Sequence, residues 1–284
     1  MTDWQWDESL YAGAAQYYQA GRVPYPAAIA DALRAELGLD GTGRLLDVGC
    51  GPGSLTVLLA PLFAAATGID GSADMIAAAR ARTSAADWRV MRAEDISPAL
   101  GRFRVVTFAQ SFHWLDRPKV ARGVRAVLEP DGACVLVYAM THGGVGGADP
   151  LPLPRPPRDE IDRLIAAYLG TTRRAGKGIR PDRERPGDDT MLADDAVLAG
   201  AGFAGPACLT IGPGEVVERD EDAIVASVFS LSYAAPSLFG ERKHEFEQDL
   251  RALLLQASPG GRFCEELRET RLEVWRAADR ETDI

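Results

Sequence analysis

Between residues 44 and 139 short apolar runs alternate with stretches of helical periodicity. Leu45, Leu46 and Val48 form a run typical of a strand covered on both faces. Ala65 to Ile69, Trp88 to Met91, Arg104 to Ala109 and Ala133 to Ala139 repeat it. Val120 to Leu128 reads as an amphipathic helix, and Pro130-Asp131-Gly132 predicts a turn. Strands alternating with helices predict an α/β, doubly wound, mostly parallel sheet with helices on both faces. Ahead of it, residues 8 to 20 read as a helix bearing Tyr11, Tyr17 and Tyr18. Arg22-Val23-Pro24-Tyr25-Pro26 then breaks it, because proline lacks the amide donor, and Pro26 to Leu37 predicts a second helix.

After Met140 the pattern changes. Gly143-Gly144, Gly146-Gly147 and five prolines from Pro150 to Pro157 predict a linker. A helix follows at about Arg158 to Leu169, then a basic loop over 171–186 holding Arg173, Arg174, Lys177, Arg180, Arg183 and Arg185. Ala193 to Ala199, Asp220 to Leu231 and Glu241 to Leu255 read as helices, and Ala207 to Ile211 and Arg271 to Trp275 as strands. The expected organisation is one domain over 1–284: N-terminal helices or a lid at 1–43, a binding core at 44–140, and at 141–284 the last strands plus a partly helical substrate cap.

The sharpest chemical signal is Asp47-Val48-Gly49-Cys50-Gly51-Pro52-Gly53-Ser54. It predicts a strand, a glycine turn and a helix start capped by Ser54. Such a turn brings a ligand to the carboxyl edge of a parallel sheet. The dinucleotide spacing G-x-G-x-x-G fails in both registers, falling on Ser54 or Thr56, and no phosphate-loop lysine follows. Asp47 would repel a pyrophosphate and suits a ligand carrying an ammonium and a sulfonium. Asp70 ends the next strand, 17 positions after Gly53, where a carboxylate accepts from both ribose hydroxyls of an adenosine.

The glycine turn and Asp70 together resemble the class I S-adenosylmethionine-dependent methyltransferases. Ala93-Glu94-Asp95, Pro130-Asp131-Gly132 and the stretch Gln110-Ser111-Phe112-His113-Trp114 extend the likeness to the trans-aconitate-methyltransferase-like group, over roughly residues 10 to 140. The resemblance implies a Rossmann-like sheet of seven strands and S-adenosylmethionine as cofactor. It implies cofactor contacts from Asp47, Gly49, Cys50, Gly51, Gly53, Asp70, Gly71, Met75, Ala93, Glu94, Asp95 and Gln110. Glu94 is the first choice for the adenine amine and Asp95 the second. A Tyr-x-x-x-Arg-x-Pro stretch adds Tyr18 and Arg22, as a lid near the cofactor carboxylate or as a packed amphipathic helix.

Residues past the fourth strand face the transferable methyl in this architecture. His113 is the candidate base, since an imidazole titrates near neutrality; contact with substrate or cofactor, and packing, are the other readings. Ser111, Trp114, Arg173, Arg174, Phe229 and Tyr233 are candidate acceptor contacts. The basic loop reads either as an anion clamp or as a solvated segment. Phe229 and Tyr233 read either as pocket lining or as core.

Charge and composition narrow the partners. A net charge of −10 over 284 residues argues against a non-specific nucleic-acid binder. The longest apolar stretch, Leu55 to Ile69, is interrupted by Pro61 and Gly68 and too short to span a bilayer. The start is acidic and polar, unlike a secretory signal, and the four cysteines are widely spaced, which suits reduced thiols in cytoplasm. No metal-ligand spacing is visible. The expected function is methyl transfer to a small-molecule metabolite or natural product. A peptide or RNA acceptor, or a non-catalytic cofactor-binding subunit, is the alternative; oligomeric state stays open.

Overall fold

The computed structural model describes residues 13–145, 150–171, 173–175, 178–180, 188–212 and 215–278; of 173–193 only the backbone is described. In chain order the helices are α1 Ala15–Gly21, α2 Ala28–Leu37, α3 Ser54–Leu59, α4 Ala73–Arg82, α5 Arg117–Val127, α6 Arg158–Leu169, α7 Asp188–Gly200, α8 Glu221–Phe229, α9 Pro236–Phe239 and α10 Lys243–Ala257. The strands are β1 Arg44–Val48, β2 Ala65–Asp70, β3 Asp87–Val90, β4 Phe103–Ala109, β5 Leu128–Tyr138, β6 Arg173–Ala175, β7 Gly178–Arg180, β8 Phe203–Ile211, β9 Val216–Asp220, β10 Arg262–Glu266 and β11 Thr270–Ala277.

The chain divides into two compact units. The sheet unit holds Tyr25–Ala139, Arg185–Ile211 and Thr270–Ile284. Its seven strands run in the order β3-β2-β1-β4-β5-β11-β8, so the expected mostly parallel, Rossmann-like sheet is present. β11 is antiparallel to both of its neighbours. Alternate residues leave each strand on opposite faces. Leu46, Val48, Val106, Phe108, Cys134 and Leu136 join one core with the apolar side of α5. Leu45, Val105, Val135, Val137, Leu272 and Val274 join the other, with Ile29, Leu33 and Leu37 of α2. α2 buries these three at helical spacing and ends at Gly38 with φ 58°. α5 begins at Asp116, whose side chain accepts from the Lys119 amide.

The helical unit holds Met1–Pro24, Met140–Glu184 and Gly212–Glu269. Its core brings together Ile161 and Ile165 of α6, Ile224, Val225, Val228 and Phe229 of α8, and Phe239, Phe246, Leu250, Leu254 and Phe263. No helix among the described residues is long and apolar enough to cross a membrane.

Three local expectations change. The N-cap of α3 is Gly53 at φ 81°, not Ser54, because the turn must leave the strand through the left-handed region. The Pro130-Asp131-Gly132 turn is absorbed into β5 as an irregularity: Phe103 pairs with Leu128, but Val105 already pairs with Ala133. An antiparallel pair of β9 with β10, with α8 to α10 between them in the chain, was not foreseen.

Candidate functional site

The sheet unit brings the candidate residues to the carboxyl ends of β1, β2 and β4. Three glycines follow β1 at positive φ, and each has a different neighbour. A Cβ on Gly49 would stand 2.5 Å from the Ser111 Cβ, and one on Gly53 would stand 2.3 Å from the Trp88 ring. A Cβ on Gly51 would meet nothing within 4 Å. Gly51 is therefore the glycine whose bare main chain faces open space. Gly49 and Gly53 let the protein close on itself. Cys50 is buried, and its amide donates to the Ile69 carbonyl at 3.0 Å, tying the turn to β2.

Asp70 is oriented before any ligand arrives. The Gly51 amide donates to Oδ2 at 2.9 Å and the Ser72 amide to Oδ1 at 2.8 Å. A carboxylate has about four lone-pair sites, so each oxygen keeps one for another donor. Burial pushes the Asp70 carboxyl up, against the pull of the two amides. Gly71 follows directly, and Met75 is buried on α4 behind Ser72, which caps that helix.

Asp47 stands differently from the expectation. It is 1% exposed, and Thr56 and Thr107 donate to its two oxygens at 2.5 and 2.8 Å. Burial pushes its carboxyl up to about 6 in spite of both hydroxyls. The side chain braces β1 against β4 and α3. Glu94 is also committed. Its side chain is 6% exposed, accepts from the Asp116 amide at 3.1 Å, and lies 3.6 Å from Arg92. Ala93 is buried in the same turn, and Asp95 is the acid that stands exposed.

The segment after β4 carries a conformational signature. Gln110 has φ 55° and is the one non-glycine at positive φ among the described residues. Such a backbone costs energy and persists where surroundings enforce it. Here the Gln110 amide donates to the Val137 carbonyl at 3.1 Å, and the Trp114 indole donates to the Gln110 carbonyl at 3.1 Å. The reversal sends His113 and Trp114 into a short turn with ring centroids 5.1 Å apart. Ser111 is no free acceptor contact: its hydroxyl donates to the Val48 carbonyl at 2.7 Å. The strain is not visible in the residue types, since glutamine, unlike asparagine, has no marked preference for that region.

In the helical unit, Arg22 is held by Ser230: its Nε donates to the hydroxyl and its Nη2 to the carbonyl, both at 2.8 Å. The guanidinium lies 4.6 Å over the Tyr18 ring. Arg158 and Arg219 share the buried Glu265. His142 is pushed down to about 3 by burial and by Arg22, Arg158, Arg219 and Arg268, so it is neutral beside four cations. Phe229 is no pocket-lining residue: it is fully buried among Tyr17, Phe239 and Phe246. Tyr233 packs against that core. The side chains of Arg173 and Arg174, and with them the anion-clamp reading of the basic loop, lie outside the described residues.

Residues 45–132 match the family model described as a methyltransferase domain. That span is thus similar to a methyltransferase domain. The matched span contains the glycine turn, Asp70, the Ala93 turn and the strained segment after β4. Over 104 residues, 35% of this chain and 40% of the relative, the sequence is 36% identical to trans-aconitate 2-methyltransferase of Rhodopseudomonas palustris. Over 129 residues, 45% of this chain and 51% of the relative, it is 26% identical to an uncharacterized methyltransferase of Schizosaccharomyces pombe. The chain thus spans about half or less of the curated relatives it matches. A putative type II methyltransferase from Anaeromyxobacter dehalogenans aligns with 90% of this chain and 97% of its own, at 21% identity and a TM-score of 0.48.

Proposed function

We propose that this chain transfers a methyl group from S-adenosylmethionine to a small-molecule acceptor. The observation that carries the reading is the pairing of Gly51 with Asp70: an open main-chain approach beside a preoriented carboxylate with spare lone pairs. The residues present fit the cofactor. Asp70 would hold the ribose hydroxyls, Gly51 would let the aminoacyl end approach the turn, and the exposed Asp95 and the Ala93 turn would meet the adenine. Asp47 would act through its charge from behind the turn.

When bound, the cofactor supplies a methyl made electrophilic by its sulfonium. The chain's own part is then largely geometric. Asp70 and the glycine turn fix one reactant, and the Gln110 to Trp114 segment orients the other, so that alignment and exclusion of water supply much of the acceleration. The four cysteines are free, in keeping with a reducing, cytoplasmic setting.

Calorimetric titration with S-adenosylmethionine and S-adenosylhomocysteine tests this. The native chain is expected to bind both. Asp70→Ala is expected to bind at least about tenfold more weakly, a loss of ~1.4 kcal/mol or more. Binding then justifies a screen of small acceptors by mass shift. Equal affinity in the variant would sink the assignment.

A further inference from the structure

The helical unit gathers more positive charge at one place than its carboxylates balance. Arg22 follows α1, Arg158 opens α6 and Arg219 lies on β9. All three act on His142, which stands between β5 and α6. Arg158 and Arg219 meet one carboxylate, Glu265 of β10, at 2.8 and 3.1 Å. Arg22 meets none among the described residues. Its partners are the Ser230 hydroxyl and carbonyl, the Thr141 hydroxyl and His142 Nδ1, each of the last two at 3.4 Å, and the Tyr18 ring face. Three guanidiniums to one carboxylate leave two positive charges uncompensated.

Water alone does not screen this excess. The Arg219 and Glu265 side chains are 5% and 4% exposed, and Arg22 and His142 are half-buried. A charge held out of water is costly unless an opposite charge meets it. The Tyr18 ring and the neutral oxygens offset only part of that cost. The same place keeps unused donors. A guanidinium only donates, so His142 Nδ1 must accept from Arg22, and the neutral ring carries its hydrogen on Nε2. That Nε2–H has no partner among the described residues. Arg22 Nη2 carries two hydrogens and spends one, on the Ser230 carbonyl. No acid is among the groups that set the charge of His142: they are Arg22, Arg158, Arg219 and the exposed Arg268, all cations.

We propose that Arg22 and His142 form a binding site for an oxyanion, the carboxylate or phosphate group of a small metabolite, in the field of Arg158 and Arg219. The proposal concerns the helical unit alone and does not rest on the methyl-transfer reading. The anion takes the spare Arg22 N–H and the His142 Nε2–H. Its charge compensates the guanidiniums that Glu265 leaves unmatched. Planar guanidinium suits either class of oxyanion, because its N–H groups match the spacing of their oxygens. Ser230 and Thr141 hold Arg22 in place from behind, through bonds that leave its charge unspent.

The test follows the imidazole nitrogens of the full chain by NMR with nitrogen-15 histidine. The chain has three histidines, and the signal lost in His142→Gln identifies the right one. Without added anion the His142 ring is expected to stay neutral at about pH 5, with its hydrogen on Nε2. Sulfate, doubly charged throughout, probes for tetrahedral oxyanions and malonate for carboxylates. Either should shift Nε2 and raise the midpoint above about pH 5, because a bound anion favours the charged ring. The tighter of the two names the class. Arg22→Gln should weaken binding about tenfold or more, whereas Arg163→Gln, at an exposed position of α6, should leave it unchanged. If neither probe moves the midpoint, or if Arg163→Gln weakens binding as much as Arg22→Gln, the site does not exist. Where Arg22→Gln fails to fold, the midpoint in the native chain decides alone. S-adenosylhomocysteine separates the cofactor's own carboxylate from a second anion: it should leave the His142 signal and sulfate binding in place. If it raises the midpoint by itself and displaces sulfate, Arg22 serves the cofactor and the proposal is overturned. A chain that binds sulfate at His142 but no cofactor defeats the methyl-transfer reading alone.

Discussion

Gly51 and Gly53 share a left-handed backbone and a motif, yet they answer to different neighbours. Alanine at Gly51 costs about 1–2 kcal/mol of backbone strain and places a methyl where the cofactor is proposed to approach. Alanine at Gly53 adds a clash with the Trp88 ring. Thermal unfolding and calorimetry should therefore separate them: Gly51→Ala keeps most of its stability and loses cofactor affinity, whereas Gly53→Ala loses the fold first. Asp47 offers a second test. Its folded carboxyl is raised from 3.8 to about 6, so its contribution to stability is present below 3.8 and lost as pH rises through about 6. Two units correspond to roughly 3 kcal/mol. Relative to the native chain, Asp47→Asn should gain about that much between pH 4 and 8 in denaturant unfolding; a constant difference would refute the account. The motif residues were legible because glycine spacing and a strand-end acid are written locally. The division of labour among them was not, since Ser111 and Trp88, which decide it, lie far along the chain.

Among elements, α6 and the strands of the parallel sheet were readable from periodicity, because their buried positions are apolar. The β9–β10 pair was not. Its strands bury Arg219 and Glu265, so the inward positions look polar in sequence. Burial pushes the Glu265 carboxyl up, but Arg158, the Gly144 amide and Arg219 outweigh it and hold it below its ordinary value. The stability this provides is present above 4.5 and lost as pH falls through the lower folded value. Glu265→Gln leaves two guanidiniums without their shared carboxylate. It should cost about 3–5 kcal/mol at neutral pH and flatten the acid limb of the unfolding curve. The same logic applies to Glu94. An acid at the expected place was legible, but its commitment to the Asp116 amide at the start of α5 depends on how two distant turns meet.

For the whole molecule, the fold class followed from the alternation of strand and helix, whereas the second unit is assembled from three separated stretches that no local pattern joins. Gly51, Asp70 and Asp95, proposed to hold the cofactor, lie in the sheet unit, as do Trp88, Trp114 and Trp275. The chain has five tryptophans, so hydrogen exchange at amides of the sheet unit, rather than fluorescence, should report the unit that the cofactor is proposed to protect. At a hundred times its dissociation constant the cofactor should stabilise that unit by about 2.7 kcal/mol, and no shift in its unfolding would count against that assignment. The order of the sheet has one more consequence. β11 lies between β5 and β8, so β8 is joined to the sheet only through a strand made later. A ribosome that has reached residue 269 has supplied five strands able to pair in order, and a sixth with nowhere to attach. Until β11 emerges, β5 presents a bare edge. The nascent chain is thus most exposed to mispairing just before its synthesis delivers the strand that ends the danger.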